Sequence, residues 1–133
     1  MKTILVIDDE VFTREHLGKI IERKGFKVLV SATGEDGLEV FKNHRPDFVF
    51  LDIMLPGIDG EAVFGYIKEM EPAANIFFMT GSDGVFNGDK AQEMGASGYL
   101  NKPVFIDDIV RLLDILESGK KFEFFNPVRK AGD

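Results

Sequence analysis

Asp47-Phe48-Val49-Phe50-Leu51-Asp52 sets four apolar residues in unbroken succession between two acids. A strand with one wet face alternates apolar and polar residues, whereas a strand covered on both faces reads as a continuous apolar run. The stretch predicts a doubly covered strand over Asp47–Leu51, the kind found in parallel sheets. Outward from it, Ile4-Leu5-Val6-Ile7 repeats the pattern in a strand over Thr3–Ile7. Shorter runs predict strands over Phe26–Ser31, Ile76–Met79 and Ser97–Leu100.

Helical spacing fills the intervals. Val11–Lys24 puts Leu17, Ile20 and Ile21 on one face and stops at Gly25. Glu35–His44 carries Leu38 and Phe41 and cannot continue through Pro46. Asp59 is placed to cap a helix running to about Glu71, with Val63, Ile67 and Met70 inward. Asn87–Met94 reads as a short, weak helix, loosened by Gly81, Gly84 and Gly88. Ile106–Ser118 is the clearest helix, with Ile109, Leu113 and Leu116 as its inner stripe. The order βαβαβαβαβα needs right-handed crossovers and predicts an α/β fold, a parallel sheet with helices on both faces. One domain covers residues 1–119, and residues 120–133 form a tail.

Every strand of such a sheet delivers its carboxyl end to one edge, where the ligand sites of open α/β sheets lie. The first strand leads into Asp8-Asp9, the third into Asp52, the fourth into Thr80 and the fifth into Lys102-Pro103. Three carboxylates, a hydroxyl and an ammonium should converge there. The surplus negative charge calls for a cation. Hard oxygen donors suit Mg²⁺, with Mn²⁺ an acceptable substitute. One carboxylate can then act as a nucleophile toward a phosphoryl donor. Lys102 and the metal would neutralise the phosphoryl oxygens, and Thr80 would donate a hydrogen bond to one of them. Taken singly, Asp8-Asp9 could be the acidic first turn of a helix, Asp52 a turn residue, Thr80 a cap and Lys102 a solvated strand-end charge. Four matching strand ends in order are what point to a site.

These residues resemble the receiver domain of two-component response regulators. The resemblance runs from residue 2 to about residue 118. It rests on Asp8-Asp9, on the block from Phe48-Val49-Phe50-Leu51-Asp52 through Pro56 to Asp59-Gly60, on Met79-Thr80-Gly81, and on Tyr99-Leu100-Asn101-Lys102-Pro103. It implies a flavodoxin-like (βα)5 doubly wound sheet of five parallel strands in the order 2-1-3-4-5. Asp52 would be the phosphoacceptor. Asp9, Asp52 and the backbone carbonyl of Met54 would bind Mg²⁺, and Asp8 would hold it through water. Lys102 would pair with the phosphoryl group, Thr80 and Tyr99 would form the switch, and Pro103 would follow a cis bond. The phosphoryl group would come from a sensor histidine kinase or a histidine phosphotransfer protein, and the switched chain would bind a downstream protein partner. Met54 and Ser82 stand where the family varies, and Met54 offers no group to orient a hydrolytic water. Val104 replaces the more usual phenylalanine after Lys-Pro, with Phe105 adjacent.

The remaining sequence narrows the function. Net charge is −7, from 23 acidic and 16 basic residues, so direct nucleic-acid binding is disfavoured. Cysteine is absent, which removes disulfide and thiol chemistry. No apolar run approaches the roughly 18 residues of a membrane span, and the amino terminus lacks a signal-peptide layout. The expectation is a cytoplasmic monomer or weak homodimer that is not an enzyme, catalysing only its own phosphoryl transfer and dephosphorylation. A phosphohydrolase would want an acid two residues after Asp52, where Met54 stands. A flavin carrier would want a phosphate loop where Asp8-Asp9 stands. The alternative that stays open is a receiver-like scaffold independent of phosphorylation. In the tail, Lys120-Lys121-Phe122-Glu123-Phe124-Phe125-Asn126-Pro127-Val128-Arg129-Lys130, Phe122 and Phe124 share a face if the segment is extended. They either fold back over Ile115 or dock a partner. His16 and His44 fall on helix surfaces with no expected role.

Overall fold

The computed structural model describes residues 1–81 and 86–127. Ser82, Gly84 and the Val128–Lys130 end of the tail, singled out above, lie outside the described residues. The elements alternate without exception: β1 (Thr3–Ile7), α1 (Val11–Arg23), β2 (Lys27–Ser31), α2 (Gly34–His44), β3 (Phe48–Asp52), α3 (Gly60–Met70), β4 (Asn75–Thr80), α4 (Gly88–Met94), β5 (Gly98–Asn101) and α5 (Ile106–Ser118). The five strands are parallel and lie in the order β2-β1-β3-β4-β5. This is the flavodoxin-like sheet expected from the sequence.

The continuous apolar runs are explained by two cores. Side chains alternate faces along a strand, so Ile4 and Val6, Phe48 and Phe50, and Phe77 and Met79 meet α1 and α5 on one side. Leu5 and Ile7, Val49 and Leu51, and Ile76 and Phe78 meet residues of α2, α3 and α4 on the other. Leu17, Ile20 and Ile21 of α1 lie in the first core beside Ile109, Leu113 and Leu116 of α5. The stripes predicted for α1 and α5 are buried, whereas Leu38 of α2 and Met70 of α3 pack half-buried against the second core.

Boundaries differ from the sequence reading by a residue or two, for local reasons. Arg23 ends α1, Lys24 caps it, and Gly25 at φ +92° turns the chain so that Phe26 is buried before β2 begins. Thr33 caps α2 by accepting the Asp36 N–H at 3.1 Å, a cap the sequence reading passed over. Arg45 takes a left-handed φ of 45° just before Pro46; a residue preceding proline is pushed out of the right-handed helical region. Asp59 caps α3 as expected, accepting the Ala62 N–H at 2.9 Å. β4 extends to Thr80 and β3 to Asp52, because pairing continues through Asp52 beside Met79.

Gly60 fixes α3 against the end of β3. A Cβ on it would lie 2.4 Å from the Asp52 carbonyl oxygen and 2.6 Å from the Ile53 Cα. Backbone on both sides cannot yield cheaply. Gly60→Ala is expected to lower stability in urea denaturation by about 2 kcal/mol, the usual scale of overpacking.

After α5 the chain turns back at Gly119 and runs along the outer edge of β5. Phe125 forms a parallel bridge with Gly98. Its N–H donates to the Ser97 carbonyl at 3.0 Å, and the Tyr99 N–H donates to the Phe125 carbonyl at 3.1 Å. Phe125 is buried in the first core, with Phe122 and Ile115 packed against that core as half-buried neighbours. No described helix is long and apolar enough to cross a membrane.

Candidate functional site

β1, β3, β4 and β5 bring their carboxyl ends to one edge, as parallel register requires. Asp8 is fully buried, and Asp52 and Thr80 each retain only 2% exposure. Lys102 follows β5 and enters from the side. Its N–H donates to the Thr80 carbonyl at 2.7 Å, which ties the lysine backbone to β4, and the Lys102–Pro103 bond is cis. Its ammonium lies 3.0 Å from Asp8 Oδ2 and 3.1 Å from Asp52 Oδ2. It also pairs with Glu10 Oε1.

Each carboxylate is held from its other side. Asp52 Oδ1 accepts the Met54 N–H at 3.0 Å. Asp8 Oδ1 accepts the Glu10 N–H at 2.8 Å, and the Arg14 guanidinium donates to the Asp8 carbonyl at 2.8 Å. Burial still pushes both carboxyls above the usual carboxylate value. For Asp52 the charge of Asp8 adds to the rise, while the Met54 amide and Lys102 work against it. For Asp8 the Glu10 amide and Lys102 work against it. Burial alone would lower Lys102, but its hydrogen bonds with Glu10 and Asp8 and the charges of Asp52 and Asp8 hold it well above its ordinary value. It is a permanent cation.

Asp8, Glu10 and Asp52 each offer one carboxylate oxygen within 4.8 Å of the other two. Oxygen donors alone, two of them buried with pKa values raised, form a set that a hard divalent cation such as Mg²⁺ fits, because that charge relieves their repulsion. The structure brings together Asp8, Asp52 and Lys102 of the expected residues, with buried Thr80 joined through the Lys102 amide. It does not bring in Asp9, which is exposed and stands outside this group of oxygens. Glu10 is there instead, and the sequence reading missed it. Its signal was its place as the third acid in a row at a strand end. It occupies the cap position of α1 without capping it, so its side chain is available to Lys102. Of Met54 the structure places the amide on Asp52, with the side chain exposed.

Tyr99 shares the Phe78 and Thr80 face of the sheet, since it pairs in register with Phe78 and Thr80 follows two residues later. Its ring is half-buried. A Cβ on Gly88 would lie 2.4 Å from it, so α4 begins directly against the ring. On the tail side the Phe124 ring centroid is 6.1 Å away. Burial, with the charge of Asp89, raises the phenol pKa. His16 stacks on the exposed Phe12 at 5.5 Å and lines a shallow groove with Glu10, Lys102 and Pro103. His44 ends α2.

Residues 4–114 match the family model described as the response regulator receiver domain. Among curated proteins, the chain is 36% identical over 104 residues to the transcriptional regulatory protein AfsQ1 of Streptomyces coelicolor, covering 78% of this chain and 46% of that one. It is 33% identical over 105 residues to a cyclic di-GMP phosphodiesterase of Thermotoga maritima, covering 79% of this chain and 28% of that one. The chain thus spans between about a quarter and a half of the length of these relatives. Among solved structures it is similar to a receiver domain protein from Clostridium thermocellum, with TM-score 0.77 and 28% identity over 90% of this chain and 100% of the other. A CheY-like receiver domain protein from Methanospirillum hungatei gives TM-score 0.76 and 27% identity over 90% and 99%.

Proposed function

This chain belongs to the response regulator receiver domain family, and on that premise we propose that it accepts a phosphoryl group on Asp52 and thereby switches the binding of a protein partner. The observation that carries the reading is one ammonium held between two buried carboxylates at the carboxyl edge of the sheet. Family members typically act as phosphoaccepting switches without turning over an outside substrate. The donor would be a histidine kinase or a histidine phosphotransfer protein, and the site of action cytoplasmic. With a net charge of −7, the output runs through a protein rather than through nucleic acid.

In the transfer, an Asp52 carboxylate oxygen forms a bond to phosphorus as the donor's N–P bond breaks. The donor imidazole leaves with that electron pair, neutral because its other nitrogen carries a proton. The Met54 amide keeps Asp52 oriented, and Lys102 turns its charge toward the transferred oxygens. Mg²⁺, or Mn²⁺ in its place, supplies positive charge against the phosphoryl oxygens when bound; Asp52, Asp8 and the acids that follow it, Asp9 and Glu10, would hold it. Thr80 donates a hydrogen bond from its hydroxyl to a phosphoryl oxygen once the group has arrived, and Tyr99 turns inward behind it.

Intact mass after incubation with acetyl phosphate tests the reading. One phosphoryl group should be gained with Mg²⁺ and none with EDTA. No gain by the folded protein would sink the phosphoacceptor role and leave the phosphorylation-independent scaffold.

Metal linkage gives a second test. The folded-state pKa values of Asp8 and Asp52 lie above 3.8. Their contribution to stability is therefore whole below about pH 3.8 and is lost as pH rises through the folded values. At neutral pH both charges oppose folding, and Mg²⁺ offsets them. Mg²⁺ is expected to raise the melting temperature by about 4 °C near neutral pH, and by less at about pH 5. An equal shift at both would show that the metal binds elsewhere.

A further inference from the structure

We propose that the segment Phe122–Pro127 is a built-in ligand of the β5 edge, seated while Asp52 is free and released when Asp52 is phosphorylated. The inference rests on the phosphoacceptor reading above and concerns a surface that reading does not use.

β5 is the outermost strand on its side of the sheet, and the tail is what covers its open backbone. The seat is shaped for a close approach. A Cβ on Gly98 would lie 2.6 Å from the Phe125 Cβ and 2.7 Å from the Phe125 carbonyl oxygen, so only glycine admits the tail at this depth. Aromatic side chains then fasten the segment. Phe122 stacks on Phe77 at 5.9 Å, and the Arg111 guanidinium lies 4.3 Å over the Phe125 ring while donating to the Asn126 carbonyl. The attachment is nevertheless narrow. Among the described residues its backbone is paired at one bridge, with a groove of about 630 Å³ beneath it, lined among others by Asn75, Gln92, Lys121 and Phe124. The segment gives the core beneath it Phe125, with Phe122 packed alongside, so its release withdraws these rings while the strands and helices keep their own contacts.

Tyr99 is where the strap and the switch meet. Its amide is one of the two that bond the tail, and its ring lies between Gly88 of α4 and Phe124 of the tail. If the ring turns toward Thr80, Phe124 loses its aromatic neighbour. If Phe124 stays seated, it favours the ring where it is. Two arrangements that exclude each other's contacts are thermodynamically linked. Whatever phosphorylation does to tail seating, tail seating does in equal measure to the switch equilibrium. The tail therefore restrains phosphorylation, and phosphorylation frees the β5 edge.

Amide hydrogen exchange on the full chain, with acetyl phosphate and Mg²⁺ and with intact mass followed in parallel, tests this. Protection at the Tyr99 and Phe125 amides should fall by at least about tenfold on phosphorylation, with the amides of β1 and β3 unchanged. Gly98→Ala should unseat the tail and raise the ratio of phosphorylated to free chain at a fixed acetyl phosphate concentration by about fivefold or more, the lower end of usual coupling. Phe124→Ala, which keeps Phe122 and Phe125 anchored, should act in the same direction. Full phosphorylation by mass with unchanged protection at both amides, or an unchanged ratio of phosphorylated to free chain in the folded Phe124→Ala variant, would overturn the coupling while leaving the phosphoacceptor intact. No mass gain at all would overturn both.

Discussion

Asp52→Asn is expected to abolish the mass gain from acetyl phosphate entirely while making the metal-free protein more stable. The two effects come from one feature. Asp52 is 2% exposed, and burial is the largest cause of its raised pKa. A charge in that position works against folding. Asparagine has nearly the same shape, keeps an oxygen to accept the Met54 N–H, and removes the charge. A higher midpoint in urea denaturation is therefore expected. Nucleophilicity disappears with the charge, because a neutral amide oxygen does not displace a phosphoryl donor at a useful rate. Lost phosphorylation in a protein more stable than the parent could not be blamed on misfolding. Residual phosphorylation in Asp52→Asn would move the acceptor to Asp8 or Glu10, whose oxygens share the cluster.

Lys102→Met is expected to produce the opposite pairing, lost stability with a slowed rather than abolished reaction. The ammonium separates Asp8 from Asp52 at 3.0 and 3.1 Å. Without it, two buried carboxylates face each other with no cation between them. Breaking a buried ion pair from one side costs about 3 kcal/mol, and that loss is expected in EDTA at neutral pH. Its pH dependence has a definite sign. Asp8 and Asp52 already bind protons more tightly folded than unfolded, and Lys102 is among the groups lowering both pKa values. Removing it raises them further, so the variant gains stability more steeply than the parent as pH falls below neutral. The lysine contributes no slope of its own there, since its raised pKa matters only as pH rises above 10.5. Mg²⁺ should restore part of the stability. The phosphorylation rate should stay about a hundredfold down, because the oriented charge opposite the phosphoryl oxygens is gone. A variant as stable as the parent across this range would mean that the ion pairs contribute nothing net.

Much of this was legible in the chain because the sheet is covered on both faces. Ile4-Leu5-Val6-Ile7 and Phe48-Val49-Phe50-Leu51 suit strands buried on both faces, and their parallel arrangement forces Asp8, Asp52, Thr80 and Lys102 to one edge. What lies past a strand end was less legible. Periodicity carries as far as Asp8 and stops. Which of Asp9 and Glu10 turns toward Lys102 depends on how the loop enters α1, and no local pattern encodes that. The structure pairs the exposed Glu10 with Lys102 and leaves Asp9 outside the cluster. The bridge at Phe125 was hidden for a different reason. It depends on a glycine at position 98, far away in sequence, and a single bridge leaves no alternation in the tail to read. Thr33 and Arg45 show a third limit, since caps and left-handed residues are set by one or two residues whose alternatives look equally ordinary.

Gly98 also bears on how the chain behaves in crowded solution. An uncovered edge strand presents a row of amides and carbonyls that any other extended segment can pair with, and proteins with such edges tend to clump. Here the missing side chain at position 98 lets the chain's own end lie close enough to use those groups up. Solubility at this end of the sheet thus comes from an aromatic segment that, loose and unpaired, would itself be among the stickier parts of the sequence.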